Sequence, residues 1–401
     1  MNDIASATAL PLVSSLREEA RAAPESGIVE VMNYGRERAG MIPLWAGEGD
    51  LPTPDFICAA AARSLAAGET FYTWQRGIPD LRQALADYRA RLHGRPFSPE
   101  RFFVTGSGMQ AIQTAMRMVS GTGDEVIVPT PNWPNSSAAA EVGGARAVNV
   151  RMDFTDNGWQ LDLAKVFDAC GRNTKAIFIN SPGNPTGWVM EHDDMRALLA
   201  FARRTGLWII ADEVYERFYF DGPRAPSFHD VSEPDDRVLY VNTFSKNWAM
   251  TGWRIGWIEA PTQLGQVIEN LVQYSTSGVA AFMQRAAIAG LEEGEDFVSL
   301  QVERARRGRD IVCGALGATD RVRFARPAGA FYLFFSIDGE TDVRRLGLRL
   351  VDEANVGLAP GTAFGPGGEG FMRLCFARGE DSLTEAANRL ADWLRRGAKG
   401  S

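Results

Sequence analysis

The sequence predicts an α/β protein: a large domain whose mostly parallel sheet is flanked by helices, and a smaller α+β domain built from both chain ends. Between about residues 100 and 260, short apolar runs alternate with helical periodicity, which is typical of a parallel sheet. Polar residues follow several of these runs, at the strand ends where such sheets bind ligands. The 401 residues, 45% of them hydrophobic, are enough for two domains with substantial cores.

We place the large domain at residues 48–295 and the small domain at residues 1–47 and 296–401. The N-terminal part is predicted to be helical over residues 14–40, with a break near Pro24. After Val322 we predict a strand, a turn at PAGAFYLFF, a helix over about residues 343–354 and a last strand. No repeat or low-complexity linker interrupts the chain.

Composition and charge exclude several classes of protein. The formal net charge of −8 gives no global attraction for polyphosphate, and the sequence has neither a basic run nor zinc-ligand spacing, so we expect no nucleic-acid partner. The four cysteines are scattered without a CxxC pair, which favours a reduced compartment. No basic N-terminal segment and no window of about 18 apolar residues occurs. We therefore expect a cytoplasmic protein without a membrane span.

Five apolar runs are predicted to be strands of the large sheet. They are residues 101–104, 125–128, 175–180, 207–212 and 238–241. The first is followed by a small-residue turn and an amphipathic helix that begins near Ser107, Gly108 and Met109. Unpaired backbone N–H groups and the helix dipole make such a helix start a site for anions.

The stretch VNTFSKNWAMTGWRIGW, residues 241–257, organises the rest of the chain. The hydroxyl residues Thr243 and Ser245 follow the last apolar run, then comes Lys246, and Arg254 lies downstream. This arrangement suits a phosphate held beside an amine. A lone lysine at a strand end is more often a solvated charge, so the interpretation depends on the other motifs.

Asp212 is the second anchor of the predicted site. It stands at the carboxyl end of the apolar run LWIIAD, where a carboxylate is partly desolvated and needs a cationic partner. A charge pair at about 4 Å and an effective dielectric near 20 is worth roughly 4 kcal/mol before desolvation.

These motifs resemble those of the fold-type I, class I/II aminotransferases, which depend on pyridoxal 5'-phosphate. The lysine motif of that family matches Thr243, Ser245, Lys246, Gly252, Arg254 and Gly256. Other matches are the segment around Gly47 (with Gly49 where proline is usual), the pattern from Tyr72 to Arg82, the N-P-T-G run at Asn184 and the segments flanking Arg373. The resemblance covers nearly the whole chain and its order of motifs.

The resemblance implies a cofactor role for each matching residue. Lys246 would hold pyridoxal phosphate as an internal aldimine and then move the proton from the substrate Cα, while Asp212 pairs with the pyridinium nitrogen. Asn184 and Tyr215 would bind the phenolic oxygen, and Trp133 would stack on the ring. The residues expected around the phosphate are Ser107, Gly108, Met109, Thr243, Ser245, Arg254 and, from the partner subunit of a homodimer, the residue equivalent to Tyr72.

The resemblance also implies where substrates bind. Arg373 and Asn184 would hold the α-carboxylate, the backbone at Gly47 would approach it, and Trp133 would contact the substrate as well. Ser275 and Thr276 fall where relatives present residues to the partner's cofactor. The expected reaction is transfer of an amino group from an L-amino acid to a 2-oxo acid.

Two positions bear on the choice of substrate. Some relatives that prefer acidic substrates carry a lysine at the place of Met109, and others carry an arginine at the place that we align with Leu271. Both positions are apolar here, which favours a neutral or aromatic amino donor. The oxo-acid acceptor cannot be read from the sequence.

Other functions are compatible with the same motifs. C-S β-lyases and aminocyclopropane-carboxylate synthase-like enzymes share the fold and the cofactor set, and differ in the step after deprotonation of Cα. A ligand-sensing domain of a transcription regulator is a non-enzymatic alternative, although the first residues leave no room for a DNA-binding domain before the predicted fold. A nicotinamide enzyme is disfavoured because no G-x-G-x-x-G follows a strand.

Overall fold

The structure is a computed structural model that describes residues 12–397. In chain order its strands are β1 (Ile42–Pro43), β2 (Phe102–Thr105), β3 (Glu125–Thr130), β4 (Arg146–Arg151), β5 (Asp153–Thr155), β6 (Gly158–Gln160), β7 (Thr174–Asn180), β8 (Trp208–Asp212), β9 (Val238–Thr243), β10 (Gly256–Glu259), β11 (Val322–Phe324), β12 (Tyr332–Ile337), β13 (Val356–Gly357), β14 (Ala359–Pro360) and β15 (Phe371–Cys375).

The α-helices surround these strands and follow most of them in sequence. They are α1 (Glu18–Arg21), α2 (Gly27–Gly35), α3 (Asp55–Ala66), α4 (Pro79–His93), α5 (Gly108–Val119), α6 (Asn135–Val142), α7 (Leu163–Asp168), α8 (His192–Thr205), α9 (Phe244–Asn247), α10 (Gly265–Gln273), α11 (Ala281–Glu293), α12 (Glu295–Gly317), α13 (Val343–Ala354) and α14 (Glu380–Gly397). Short 3-10 turns lie at Leu12–Ser15, Pro99–Arg101, Phe228–Asp230, Thr251–Trp253, Thr262–Leu264 and Gly361–Phe364.

A seven-stranded sheet forms the centre of the large part, in the order β2-β10-β9-β8-β7-β3-β4. Strand β10 is antiparallel to both of its neighbours, and the other pairings are parallel. The carboxyl ends of β2, β3, β7, β8 and β9 therefore meet at one edge. The predicted mostly parallel sheet flanked by helices is confirmed.

The strands of this sheet are apolar because helices cover both of its faces. Every residue of β2 and of β9 is buried, as expected for strands packed on two sides. Helix α5 begins where Ser107 caps it, its Oγ accepting from the backbone N–H of Gln110 at 3.0 Å. The helix buries Ala111, Ile112 and Ala115 against the sheet.

A four-stranded antiparallel sheet in the order β11-β12-β15-β14 lies in the C-terminal part. The N-terminal strand β1 pairs in parallel with β13, with Ile42 opposite Val356. Both chain ends thus contribute to the same region, as the predicted small domain requires. The domain boundaries at residues 48 and 295 stay a prediction.

Some elements differ from the sequence analysis. The second half of PAGAFYLFF, predicted as a turn, is the start of β12, because the side chains from Tyr332 to Phe335 are all buried within the small sheet. Strands β4 and β10 are not among the five predicted strands. Strand β4 lies at the sheet edge with polar residues interleaved, and β10 is only four residues long.

Candidate active site

A cavity of about 450 Å³ opens at the carboxyl edge of the large sheet. It brings together most of the residues singled out from the sequence, although they come from distant parts of the chain. Those that line it are Gly47, Gly108, Met109, Trp133, Asn184, Asp212, Tyr215, Thr243, Ser245, Lys246, Arg254 and Arg373.

The remaining predicted residues lie outside this lining. Ser107 is buried beneath it as the cap of α5. Tyr72 is 92% exposed in the single chain. The hydroxyls of Ser275 and Thr276 accept hydrogen bonds from Nε2 of Gln110, at 2.8 and 3.0 Å, so both residues sit against the first turn of α5 in their own chain. Leu271 is half-buried on α10 and does not line the cavity.

Lys246 lies on α9, directly after β9, and its side chain is half-buried. Its Nζ donates a hydrogen bond to the carbonyl oxygen of Gly47 at 2.8 Å. Burial lowers the pKa of Lys246 to about 8, and the charge of Arg373 acts in the same direction, whereas Glu48 and Asp212 oppose the shift. A large fraction of neutral amine is therefore present near pH 8, and the neutral amine is the nucleophile.

Asp212 is the last residue of β8 and is 3% exposed. Burial raises its pKa to about 7, while the N–H of Val214 and the charge of Lys246 act in the opposite direction. The N–H of Val214 is 3.4 Å from Oδ1. A cationic ligand beside this buried carboxyl group would stabilise its charged form and lower its pKa.

A further part of the cavity lining offers hydrogen-bond donors to an anion. The N-terminus of α5 faces the start of β10, and a Cβ on Gly256 would lie 2.7 Å from the backbone nitrogen of Gly108. Only glycine lets these two segments come so close. The hydroxyls of Thr243 and Ser245 line the same region and are 3.0 Å apart. Together they offer hydrogen-bond donors without a carboxylate.

Arg254 lines the same cavity. Its backbone is left-handed, with φ of 55°, and its exposed guanidinium donates from Nη1 to the carbonyl oxygen of Thr251 at 2.6 Å. Within residues 12–397 it forms no ion pair with a carboxylate. Its charge is therefore available to a phosphate, with which a guanidinium makes strong hydrogen bonds.

Arg373 lies on β15 and is 2% exposed. Its Nη1 donates to Oδ1 of Asn184 at 3.1 Å, and its Nη2 donates to the carbonyl oxygen of Trp45. Its Nε, also buried, has no hydrogen-bond partner in the described chain. The guanidinium lies over the rings of Tyr332 and Phe364, with Cζ 4.7 and 4.8 Å from their centroids. A buried cation without a carboxylate fits a site for a substrate carboxylate.

Several lining residues were missed by the sequence analysis, and Tyr332 is the most important of them. Its hydroxyl is 2.7 Å from that of Tyr215, and a Cβ on Gly47 would approach it to 2.4 Å. Its only sequence signal was an aromatic residue inside a segment predicted as a turn. The other lining residues that the sequence analysis missed are Ile28, Met32, Trp45, Ala46, Ile112, Asn135, Asn180, Val214 and Thr251.

Comparison with known proteins identifies the family. The sequence profile of the aminotransferases of class I and II matches residues 39–390. The chain belongs to this family. The aspartate aminotransferase of Thermotoga maritima is 36% identical over 354 residues, which is 88% of this chain and 91% of the relative. The probable aspartate/prephenate aminotransferase of Aquifex aeolicus is 35% identical, covering 87% of this chain and 90% of the relative.

Solved structures agree with this assignment. The crystal structure of the Thermotoga maritima aspartate aminotransferase superposes with a TM-score of 0.88 and 34% identity, covering 95% of this aminotransferase and 100% of that chain. The predicted class I/II aminotransferase is thus confirmed, and the protein is a pyridoxal phosphate-dependent transaminase. Among the described residues, no helix combines the length and apolarity needed to cross a membrane.

The cavity of this aminotransferase fits the cofactor. Within residues 12–397, Asp212 is a buried carboxyl that forms no ion pair, and Lys246 is an amine with a lowered pKa. The start of α5 and Arg254 provide donors for a phosphate in the same cavity. Such a set of groups matches a protonated ring nitrogen, an aldehyde and a phosphate on one small molecule.

Proposed function

We propose that this aminotransferase moves an amino group from a neutral or aromatic L-amino acid to a 2-oxo acid, with Lys246 as the residue that carries pyridoxal phosphate. The observation that supports this most directly is that Lys246, Asp212 and Arg373 line one cavity. They supply a nucleophilic amine, an acid for the ring nitrogen and a cation for the substrate.

Each of the side chains around the cofactor has a separate role in the proposed reaction. When bound, the cofactor supplies an aldehyde that condenses with amines and a ring that withdraws electrons from the substrate Cα. Lys246 Nζ moves the proton at Cα, and a pKa of about 8 keeps it close to the operating range of a general base. Asp212 stabilises positive charge on the ring nitrogen, and the hydroxyl of Tyr215 and the amide of Asn184 hold the phenolic oxygen.

Arg373 and Asn184 orient the substrate through its α-carboxylate. Arg373 donates to Oδ1 of Asn184 and to the carbonyl oxygen of Trp45, and these contacts fix the plane of the guanidinium. A fixed plane suits a carboxylate because two parallel hydrogen bonds form without further loss of side-chain freedom. Gly47 leaves room beside this position because it has no Cβ.

The preference for a neutral or aromatic donor rests on the cavity wall. Ile28 and Met32 of α2, Met109, Ile112 and Trp133 give this wall an apolar surface, and the cations that line the cavity are Lys246, Arg254 and Arg373. All three are engaged by the roles above. A second substrate carboxylate would then have no cationic partner within the described chain. Burying a charged group without a partner costs free energy, which would weaken binding of such a substrate.

Aspartate is the second candidate donor, because the relatives named above are aspartate or aspartate/prephenate aminotransferases. A panel of amino donors decides between the two. Phenylalanine, tyrosine, leucine, alanine, aspartate and glutamate are each added to the holoenzyme, and conversion of the cofactor to its pyridoxamine form is followed by absorbance. Conversion by aspartate alone would overturn the neutral or aromatic preference. An S-alkyl cysteine is added in a separate incubation without an oxo-acid acceptor; release of its thiol together with pyruvate and ammonia would instead indicate a C-S β-lyase.

We also propose a homodimer in which Tyr72, Ser275 and Thr276 lie near the partner's site. The exposure of Tyr72, together with Phe71 at 84%, Trp74 at 62% and Tyr274 at 88%, supports an interface here, since apolar surface of this kind is normally covered. Sedimentation measures the assembly, and Tyr72→Glu is expected to weaken it. We further propose domains at 48–295 and at 1–47 with 296–401, and a cytoplasmic location in keeping with the unpaired cysteines.

A further inference from the structure

A buried cluster of charged side chains lies next to the active site without lining the cavity. We call it the Arg89 cluster; its members are Arg89, His93, Glu213, Glu216 and Glu259. Arg89, on α4, and Glu259, on β10, are both fully buried. Isolated charges are rarely buried, because desolvation costs several kcal/mol per ion unless partners compensate. The cluster therefore needs a reason beyond ordinary packing.

The cluster surrounds the segment that carries two predicted cofactor-binding residues. Asp212 and Tyr215 line the cavity, whereas Glu213 and Glu216, each next to one of them in sequence, are directed to Arg89. Arg89 contacts Glu216 through Nη1 and approaches Glu213 to 3.7 Å through Nη2. One guanidinium thus binds Glu216 and lies beside Glu213, the residues that directly follow Tyr215 and Asp212 in sequence.

Further contacts fix the two glutamates. Glu213 accepts hydrogen bonds from the Ser227 hydroxyl at 2.7 Å and from the backbone N–H of Phe228 at 3.0 Å. Glu216 Oε1 lies 3.1 Å from Nε2 of His93. Although burial opposes it, the charge of Arg89 holds the pKa of Glu216 below its usual range. The contacts of Glu213 and Glu216 therefore fix the segment from 212 to 216 on the side that faces away from the cavity.

Arg89 also connects this segment to β10. Its Nε lies 3.7 Å from Oε2 of Glu259, the last residue of β10, whose first residue, Gly256, approaches the start of α5. A second arginine, Arg101, binds the other oxygen of Glu259 at 3.0 Å without contacting Glu213 or Glu216. The chain therefore contains a matched pair of buried arginines, of which one reaches the segment from 212 to 216.

We propose that Arg89 is a positioning residue for the transamination: acting through Glu213 and Glu216, it holds the Asp212 carboxylate and the Tyr215 hydroxyl in place against the cofactor ring. This inference rests on the proposed roles of Asp212 and Tyr215. Misplacement of a reacting group by about 1 Å can cost on the order of 100-fold in rate. Arg89 therefore has a large effect on the rate through the positions of Asp212 and Tyr215, even though it touches neither cofactor nor substrate.

The test compares Arg89→Lys with Arg101→Lys in the holoenzyme. Arg89→Lys is expected to lower kcat by roughly 10-fold to 100-fold, with KM for the amino acid within about two-fold because Arg373 is untouched. It is also expected to shift the pH midpoint of the cofactor's visible absorbance band by about 0.5 unit or more, and to weaken cofactor binding by the apoprotein. Arg101→Lys is expected to lower the thermal midpoint and to leave kcat and the absorbance midpoint unchanged.

Ser227→Ala provides a milder variant that keeps every residue of the cluster and removes the hydroxyl that donates to Glu213 and accepts from the backbone N–H of His229. It is expected to move kcat and the absorbance midpoint in the same direction as Arg89→Lys, by a smaller amount. If Arg89→Lys and Ser227→Ala change only the thermal midpoint, Arg89 is a structural residue and the proposal is overturned. A wild-type protein that shows no absorbance band or turnover would instead contradict the proposed function itself.

Discussion

The amine of Lys246 is bonded to the carbonyl oxygen of Gly47, 2.8 Å away and 199 residues earlier in the chain. This contact ties the segment before the large domain to the end of β9. The same segment binds Arg373 through the carbonyl oxygen of Trp45. The carbonyl groups of Trp45 and Gly47, two positions apart in this segment, thus bind the side chains of Arg373 and Lys246, on which the proposed reaction depends.

Replacement of Lys246 tests the assignment of the nucleophile. Lys246→Ala is expected to abolish the visible absorbance band of the attached cofactor and to lower turnover by several orders of magnitude, since no other amine lines the cavity in the described chain. Lys246→Arg is the matched control, because it keeps a positive charge that does not deprotonate in proteins. It is expected to be equally inactive. Turnover retained by either variant would contradict the role.

The lowered pKa of Lys246 predicts how attachment of the cofactor depends on pH. Only the neutral amine reacts, so the rate of attachment to the apoprotein is expected to rise from pH 6.5 to 9 with a midpoint near 8. Because the charge of Arg373 lowers this pKa and that of Asp212 raises it, Arg373→Met should move the midpoint up and Asp212→Asn should move it down. Stopped-flow absorbance measures the rates. A midpoint close to that of free lysine would disprove the prediction.

Arg373 and Arg254 are expected to act on different ligands. Arg373→Lys should raise KM for the amino donor by roughly 10-fold to 100-fold, because an ammonium loses the paired hydrogen bonds to a carboxylate. Arg254→Lys should weaken binding of pyridoxal phosphate by the apoprotein and leave KM of the loaded enzyme nearly unchanged. Each variant serves as the control for the other. If both variants weakened cofactor binding equally, the assignment of Arg373 to the substrate and of Arg254 to the cofactor phosphate would be contradicted.

Gly47 is predicted to be required by the hydroxyl of Tyr332 rather than by its backbone angles. A Cβ at position 47 would lie 2.4 Å from that hydroxyl, so Gly47→Ala is expected to destabilise the protein by about 1–3 kcal/mol. Adding Tyr332→Phe removes the clashing atom and should recover most of the loss, apart from about 1 kcal/mol for the lost hydrogen bond to Tyr215. Denaturant titration of the apoprotein measures both. An additive loss in the double variant would refute the clash.

The site could be predicted from the sequence where a residue follows a strand in a recognisable motif. Asp212 and Lys246 line one cavity because β8 and β9 run parallel and end at the same edge, and Arg373 reaches that cavity from β15 of the small antiparallel sheet. Tyr332 could not be found this way. Its position at the site depends on the packing of β12 against the segment after β8, which brings its hydroxyl to that of Tyr215, 117 positions earlier, and local sequence contains no record of that contact.

The same limit applies to the Arg89 cluster. Glu213 and Glu216 read as ordinary acidic residues after a strand, and Arg89 reads as one of several arginines on an amphipathic helix. Periodicity predicts which helix face is buried, but it does not predict that a buried position holds a charge. Carboxylates from two separate parts of the chain, the segment after β8 and strand β10, stabilise that charge, and such long-range compensation is visible only once the fold is known.

Met109 is the position at which we predict that the cavity rejects a second carboxylate. It is half-buried at the start of α5 and lines the cavity with Trp133, and the Nδ2 of Asn135 lies 3.6 Å from its sulfur. Met109→Lys places a cation in this wall, and a charge pair at about 4 Å with an effective dielectric near 20 is worth roughly 4 kcal/mol before desolvation. Even a third of that value would raise kcat/KM for aspartate relative to phenylalanine by about 10-fold.

Met109→Gln is the matched control for this prediction, because it gives a side chain of similar length that is polar without charge. It is expected to lower kcat/KM for phenylalanine without improving that for aspartate. The two ratios are measured by coupled assay with a common oxo-acid acceptor, after checking that the variants bind pyridoxal phosphate equally well. If both variants change the ratio of kcat/KM for aspartate to kcat/KM for phenylalanine by the same factor, the polarity of residue 109 rather than its charge sets the substrate preference. If the wild type already prefers aspartate, the second carboxylate is bound elsewhere, and the apolar wall at Met109 does not set the specificity.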